Sequence, residues 1–348
     1  MDKVKELLQE WVSEGLLPGA AVRVVHKRKI RYACDAGTTS ISKEHPVTSE
    51  TLYDLASLTK VTATLPAILW LMQEKRLAPD DQLGKYFPDC PADKQGITIA
   101  HLLTHTSGLP ADLATCNRDD TLVFPDLIYQ QSLLHEPGSQ VVYSDLGMIW
   151  LGLLIERISG ESLDAFAQEH IYRPLQMNHT LYCPNKHVFR NIASTEYCSL
   201  LGGYLCGEVH DEKAYAMGGI AGHAGLFATA DDIAAYAISW LDEERAILEQ
   251  KWRSLAIRCH TLGRGGTRGF GWDLKGPDRE SSCGIRFHPT SFGHTGFTGT
   301  SLWIDPVQEI AVVFLTNVVH LGRDHQLRRL RPILHDAVTA YLREGLTE

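Results

Sequence analysis

A chain of 348 residues with 44% hydrophobic and 22% charged residues has the composition of an ordinary globular protein, long enough for one large or two intimate domains enclosing a cleft. Its formal charge of -9 and the lack of any basic run argue against nucleic acid and anionic membrane surfaces, leaving a small-molecule or peptide substrate as the expected partner. No stretch is long and apolar enough to span a bilayer, and the opening MDKVKELLQEWVSEGLLPGA lacks the charged head and apolar core of a secretory signal, so a cytoplasmic location is expected. The eight cysteines form no Cys-x-x-Cys pair, which points to reduced, mostly buried thiols rather than a zinc ribbon or a redox dithiol.

In chain order, Val4 to Trp11 carries helical spacing, and AAVRVVHKRKIRYACDAG predicts two strands around a Lys-Arg-Lys turn. From Ser57 the pattern is helical for a long way: the apolar run to Met72, then ITIAHLLTHTSGL, DLGMIWLGLLIERISG and SLDAFAQEHIYRPL, punctuated by Pro and Gly. A glycine-rich stretch, MGGIAGHAGLF, precedes the helix DDIAAYAISWL, for which Thr229 and Asp232 form a capping pair. FGWDL, TSLWID and EIAVVFLTNVV read as strands, and LRRLRPILHDAVTAYLREGL as an amphipathic helix. Both chain ends would build one mixed layer, residues 1–56 with 225–348, while residues 57–224 form a mainly helical insertion, the two together making one catalytic domain. A ligand site is expected in the cleft between them.

Ser-x-x-Lys occurs about once by chance in a chain of this length, and here it occurs twice, as Ser40 to Lys43 and Ser57 to Lys60. The first lies in a polar connection with nothing to fix its serine against its lysine. The second opens a helix, where residues three apart are neighbours, so Lys60 can reach the Ser57 hydroxyl. The apolar helix around Lys60 should desolvate its ammonium and lower its pKa, placing a base beside a nucleophile. Alone, the pair reads equally as a helix-capping serine and a lysine that snorkels to water. Two further segments change that balance: Tyr143-Ser144-Asp145 before an apolar helix, and His294-Thr295-Gly296 entering a strand.

In order and spacing these three segments resemble the serine β-lactamase and penicillin-binding-protein superfamily, in its class C β-lactamase-related branch of D-alanyl carboxypeptidases, D-aminopeptidases and esterases. The likeness runs through ITIAHLLTHTSGLP, GGIAGHAGLFATADDIAAYA and GHTGFTGTSLWIDP and covers nearly all of the chain from about Pro18. It implies an α/β fold of the α+β type, an antiparallel sheet flanked by N- and C-terminal helices with an inserted all-helical lobe. It also implies Ser57 as the acylated nucleophile, Lys60 as its base or relay, Tyr143 as a second relay, His294 on the strand bordering the cleft, and the amides of Ser57 and Phe297 as oxyanion donors. Thr295, Gly296 and Phe297 would line the substrate.

Two positions depart from the family pattern. Asp145 stands where an asparagine amide would donate to the substrate; a carboxylate cannot donate, suits an N–H or ammonium, and should raise the pKa of a nearby Lys60. His294 replaces a lysine with a charge mostly absent at neutral pH, so recognition of a substrate carboxylate should weaken, and titration of His294 near neutrality should modulate acylation. A polar cluster, Glu208, His210, Asp211 and His223, matches no ligand spacing for a metal, so no metal or cofactor is expected, and His210 and His223 are assigned to substrate binding. The expected activity is acyl-enzyme hydrolysis of an amide or ester, on peptidoglycan-derived peptides by D,D-peptidase or muropeptide amidase action. The alternatives are a promiscuous carboxylesterase or weak β-lactamase, and a non-catalytic penicillin-binding-like module.

Overall fold

The structure, a computed structural model, describes residues 2–42, 45–120, 123–186, 188–189, 191–277 and 281–344. Six antiparallel strands form the main sheet in the order Lys29–Gly37, Gly19–His26, Ile310–Thr316, Ser301–Asp305, Phe292–Thr295, Asp273–Leu274. The expected hairpin turns at Lys27 and Arg28, both at positive φ (51° and 64°), as the tight two-residue turn that matches strand twist demands.

The alternation expected of a half-exposed sheet is absent from the central strands. Ile310–Thr316 is buried at every residue, because helices cover both faces. Helices Asp2–Ser13 and Leu327–Glu344 pack on one face, where Leu8, Trp11, Leu334 and Val338 join Val22, Val24 and Val312. Helix Ala230–Leu241 and the helical half of the chain cover the other, through Ile233, Ala237, Val313 and Leu315.

The helical region is broken more finely than its apolar pattern suggests. ITIAHLLTHTSGL yields only Ile99–Leu103, opened by a capping box between Thr98 and His101. DLGMIWLGLLIERISG forms Asp145–Ser159 in full, capped by Ser144 and ended by Gly160 at φ 81°. Thr229 accepts from the Asp232 amide as expected (3.3 Å), but the Asp232 carboxylate turns away to the His179 amide and the Thr180 hydroxyl, so half of the expected pair is used elsewhere. FGWDL keeps only Asp273–Leu274 as strand, since Gly271 at φ 68° turns the chain just before it.

A second small sheet joins Tyr53–Asp54, Leu226–Ala228 and Leu181–Tyr182, and this pairing carries the segment before Ser57 against the glycine-rich stretch. All eight cysteines are free, but only Cys90 and Cys283 are buried; Cys183 and Cys259 are exposed, which corrects the expectation of mostly buried thiols. Among the described residues no helix is long and apolar enough to cross a membrane.

The strand that carries His294 tolerates no side chain at Gly293, where a Cβ would stand 2.3 Å from the Trp303 ring and 2.5 Å from the Leu302 carbonyl oxygen. Gly293→Ala should therefore cost about 1–3 kcal/mol or more in urea unfolding, whereas Gly96→Ala, with nothing within 4 Å of its added methyl, should stay within roughly 0.5 kcal/mol of wild type.

Candidate active site

Ser57 does not open a regular α-helix. It sits in a tight 3₁₀ turn, Ala56–Leu58, after Ala56 at φ 46°; Lys60–Thr64 then winds as a π-helical turn before the α-helix Leu65–Gln73. Departures of this kind store strain and gather at functional sites. The tight turn still places Lys60 Nζ 2.9 Å from Ser57 Oγ. Of the rival pair, Ser40 bonds to Ser42 on the surface, and Lys43 lies outside the described residues.

Lys60 is fully buried; its ammonium donates to Ser57 Oγ and to the His223 carbonyl oxygen at 3.0 Å and is ion-paired with Asp145 Oδ1 at 2.8 Å. Burial pushes its pKa down, but Asp145 and then Tyr143 more than offset this, and the result lies above the ordinary lysine value. The expected neutral lysine is thus overturned, while the expected effect of Asp145 holds. Asp145 answers in kind: burial raises its pKa, the charges of Lys60 and His223 lower it, and the net shift is downward. The two groups form an ion pair, not a base beside an acid.

Tyr143 is the other wall. Its ring lies 5.0 Å from Lys60 Nζ and 5.4 Å from the Arg268 guanidinium, with the rings of His105 and His294 at 4.6 and 5.8 Å. His105, at φ 56°, accepts from the Ser144 amide and so fixes the Tyr143-Ser144-Asp145 segment. His294 donates from Nδ1 to the Thr295 carbonyl oxygen (2.9 Å), which leaves Nε2 as a bare lone pair. Burial, then Arg268 and Lys60, hold its pKa well below the usual histidine value. The expected titration near neutrality is therefore corrected: His294 stays neutral there.

A cleft of about 610 Å³ runs past Ser57, Tyr143, His294, Thr295, Gly296 and Phe297 and is lined as well by Arg268, Arg323, Arg328 and Arg331 and by Asp273 and Asp324. A smaller chamber of about 250 Å³ opens on the other side of Ser57, lined by Asp112, Asp145, Asp211, Glu212 and Lys213. Ser57, Tyr143, Phe297 and Arg323 border both.

The expected polar cluster separates. Glu208 pairs with Lys186 and Arg118 beside a different cavity. His210 bonds to Glu196 (2.9 Å) and stacks on Phe297, and His223 bonds to Asp211 (2.8 Å). Asp145, Asp211 and His223 offer ligand atoms within 4.8 Å of one another, but Lys60 and Lys213 already lie against these carboxylates, Lys213 at 3.3 Å from Asp211 and 3.7 Å from Asp145. A metal ion there would face two resident cations. Sequence reasoning missed Arg268, Lys213 and His105; of these only His105, inside the quoted THTSGL, and Lys213, beside the polar cluster, stood near a recognised segment.

The chain matches the Beta-lactamase family over residues 4–336 and belongs to it. It is 34% identical to a protein of Escherichia coli (strain K12) named "Putative D-alanyl-D-alanine carboxypeptidase", over 90% of this chain and 82% of that one. A relative of the same name from Salmonella agona is 34% identical over 79% of this chain and 72% of that one. Among solved structures, EstCE1, "a hydrolase with promiscuous acyltransferase activity", superposes with a TM-score of 0.75 at 24% identity, covering 95% of this chain and 98% of that one. The octameric penicillin-binding protein homologue from Pyrococcus abyssi does so with a TM-score of 0.75 at 22% identity, covering 98% and 77%. The fold is that of β-lactamases, and the protein is a serine hydrolase of the β-lactamase type.

Asp145→Asn removes the countercharge and leaves burial to act on Lys60, so the Lys60 pKa should fall. The rising limb of the pH dependence of Ser57 labelling by a fluorophosphonate should then move to lower pH. An unmoved limb would mean that Asp145 does not govern the charge of Lys60.

Proposed function

We propose that the protein cleaves the last amide bond of short, cell-wall-derived peptides that end in a free carboxylate, by D,D-carboxypeptidase chemistry through an acyl-enzyme on Ser57. The observation that carries this reading is Ser57 Oγ hydrogen-bonded to buried Lys60 at the edge of a cleft that four arginines help to line. The arginines replace what His294 lacks. Arg268, its side chain 17% exposed and 3.9 Å from the Asp273 carboxylate, puts a permanent cation beside Tyr143, and its remaining N–H groups offer a substrate carboxylate an anchor despite the histidine. On this reading Arg268 supplies the carboxylate recognition that a neutral His294 would weaken.

In this scheme Ser57 Oγ attacks the carbonyl carbon while its proton passes to the Lys60–Tyr143 couple. Because Lys60 is held charged by Asp145, the reactive form is the one in which the couple carries one proton fewer, and neither residue alone is the base. The amides of Ser57 and Phe297 receive the developing oxyanion. Gly296 permits this: a Cβ there would lie 2.4 Å from the Leu55 carbonyl oxygen and 3.3 Å from Ala56 Cβ, so only glycine lets the loop pass over the serine turn. The couple then protonates the departing amine, and water attacks the acyl-enzyme by the reverse route.

A carboxylesterase reading is favoured by Phe297, 50% exposed at the mouth and stacked on His210, which offers an apolar platform for an acyl or alcohol group. Competing the two substrate classes separates them: an N-acetylated peptide ending in D-Ala-D-Ala, its C-terminal amide, and an aryl acetate. A fluorophosphonate should label Ser57 and not Ser40, and Ser57→Ala should lose turnover of every substrate. Arg268→Ala should lower kcat/KM for the free-carboxylate peptide by roughly tenfold to a hundredfold, the value of one charge-assisted hydrogen bond, and leave the amide and the aryl acetate within about threefold. Faster turnover of the aryl acetate than of the peptide, with Arg268 silent, would select the esterase.

A further inference from the structure

We propose that Arg331 is a positioning residue for the oxyanion site, acting on the peptide unit that joins Gly296 to Phe297; this rests on the reading of Ser57 as nucleophile and Phe297 as oxyanion donor. Arg331 lies in the C-terminal helix Leu327–Glu344 and is 7% exposed. Its Nη2 donates to the carbonyl oxygens of Gly296 (3.2 Å) and Thr300 (2.9 Å), the two ends of one tight loop. The same loop is closed by the Gly296 amide on the Thr300 carbonyl oxygen (2.8 Å) and by the Gly299 amide on the Gly296 carbonyl oxygen (3.2 Å). From its front, Thr298 and Thr300 donate to the carbonyl oxygens of Asp54 and Leu55, at 2.7 and 2.9 Å, and so tie the loop to the backbone that leads into Ser57. Arg331 holds it from behind.

The Gly296 carbonyl and the Phe297 amide belong to one planar, conjugated unit. A cation on that oxygen draws electron density toward it, which makes the N–H a stronger donor and fixes the direction in which it points. The surroundings of Arg331 argue against a purely stabilising role. Among the described residues it has no carboxylate partner, and its Nε has no hydrogen-bond acceptor. Burial, with Arg328 adding to it, pushes its pKa down to about 9, which still leaves it charged at neutral pH. An uncompensated buried cation is a cost to stability that an apolar side chain of the same size would avoid. Such a cost is retained where the charge acts on something, and among the described residues the groups it bonds are the two carbonyls of the loop.

The test forms an acyl-enzyme from a 4-nitrophenyl ester labelled with ¹³C at its carbonyl and reads that carbonyl by infrared difference spectroscopy, alongside kcat, KM and inhibition by phenylboronic acid. Arg331→Met should lower kcat by roughly ten- to hundredfold, less than the loss of a whole oxyanion donor, with KM within about threefold. Phenylboronic acid, a tetrahedral mimic once bound to Ser57, should weaken in parallel, and the acyl carbonyl band should move to higher wavenumber. Arg331→Lys, which keeps the charge but not the planar fork, should fall between wild type and Arg331→Met on all three readouts and carries the test if the methionine variant does not fold. Arg329→Met, exposed on the same helix, should match wild type. An unshifted band with undiminished boronate affinity in either Arg331 variant overturns the inference, whatever happens to melting temperature. If Ser57→Ala gives the same acyl band and turnover as wild type, the assignment of Ser57 as nucleophile falls, and this inference with it.

Discussion

A fully buried ammonium must be surrounded by acceptors, and Lys60 imposes that demand on three separate parts of the chain. Ser57 comes with it from the same turn. Asp145 must arrive at the first position of helix Asp145–Ser159, where the N-terminal end of the helix also favours a carboxylate. The His223 carbonyl must be presented from the glycine-rich stretch, and Gly222 makes this possible: a Cβ there would stand 2.1 Å from the Met148 carbonyl oxygen and 3.0 Å from the Gly152 amide nitrogen. Helix Asp145–Ser159 thus lies directly on the Gly222 backbone, and Thr64, from the π-helical turn that begins at Lys60, donates to the Gly222 carbonyl. Gly222 thus serves a close approach between backbones, and that close approach presents the His223 carbonyl to Lys60.

The second constraint is the pinning of the Gly296–Thr300 loop to the Asp54–Leu55 backbone. Asp54 joins the two halves of that arrangement, since its carboxylate takes the Ala56 and His210 amides while its carbonyl takes the Thr298 hydroxyl. The Ser57 turn, the strand-end loop and the His210 segment therefore share one buried carboxylate. Burial raises the pKa of Asp54 against the pull of those amides, a mark of how far it has been taken from water.

Much of this was legible in the sequence, and what was not has physical causes. Ser57, Lys60, Tyr143 and His294 were visible because each is fixed by a short local motif, and the structure brings the four side chains to one cleft. The hairpin at Lys27 and Arg28 and the helix at Asp145 were visible because their signals, a polar turn between β-branched runs and a capped apolar run, are local too. Arg268 and Arg331 were invisible. Arg268 lies in a glycine-rich loop and Arg331 on a helix rich in arginine, and only the tertiary path decides which arginine turns inward: Arg331 is buried, while its neighbours Arg328 and Arg329 are exposed. The polar cluster misled for a related reason. An extended chain would put residues two apart on one side, but the chain bends at Gly207, Glu208 and His210, so Glu208 and His210 serve different cavities.

The charge around Tyr143 is the point at which these constraints meet. Two permanent cations, Lys60 and Arg268, flank its ring, and two histidines, His105 and His294, complete the enclosure. Burial first, and then those same two cations, hold both histidines well below the usual value, so they remain neutral. Were either charged, a third cation would stand against the same phenol ring. Neutral rings instead act as polarisable walls that let the two cations stand close to the phenol without a third beside them. In the proposed reaction a proton leaving the Lys60–Tyr143 couple would do so beside the fixed charge of Arg268, and a neutral histidine at position 294, where a lysine is the family's usual residue, keeps a further cation away from that couple.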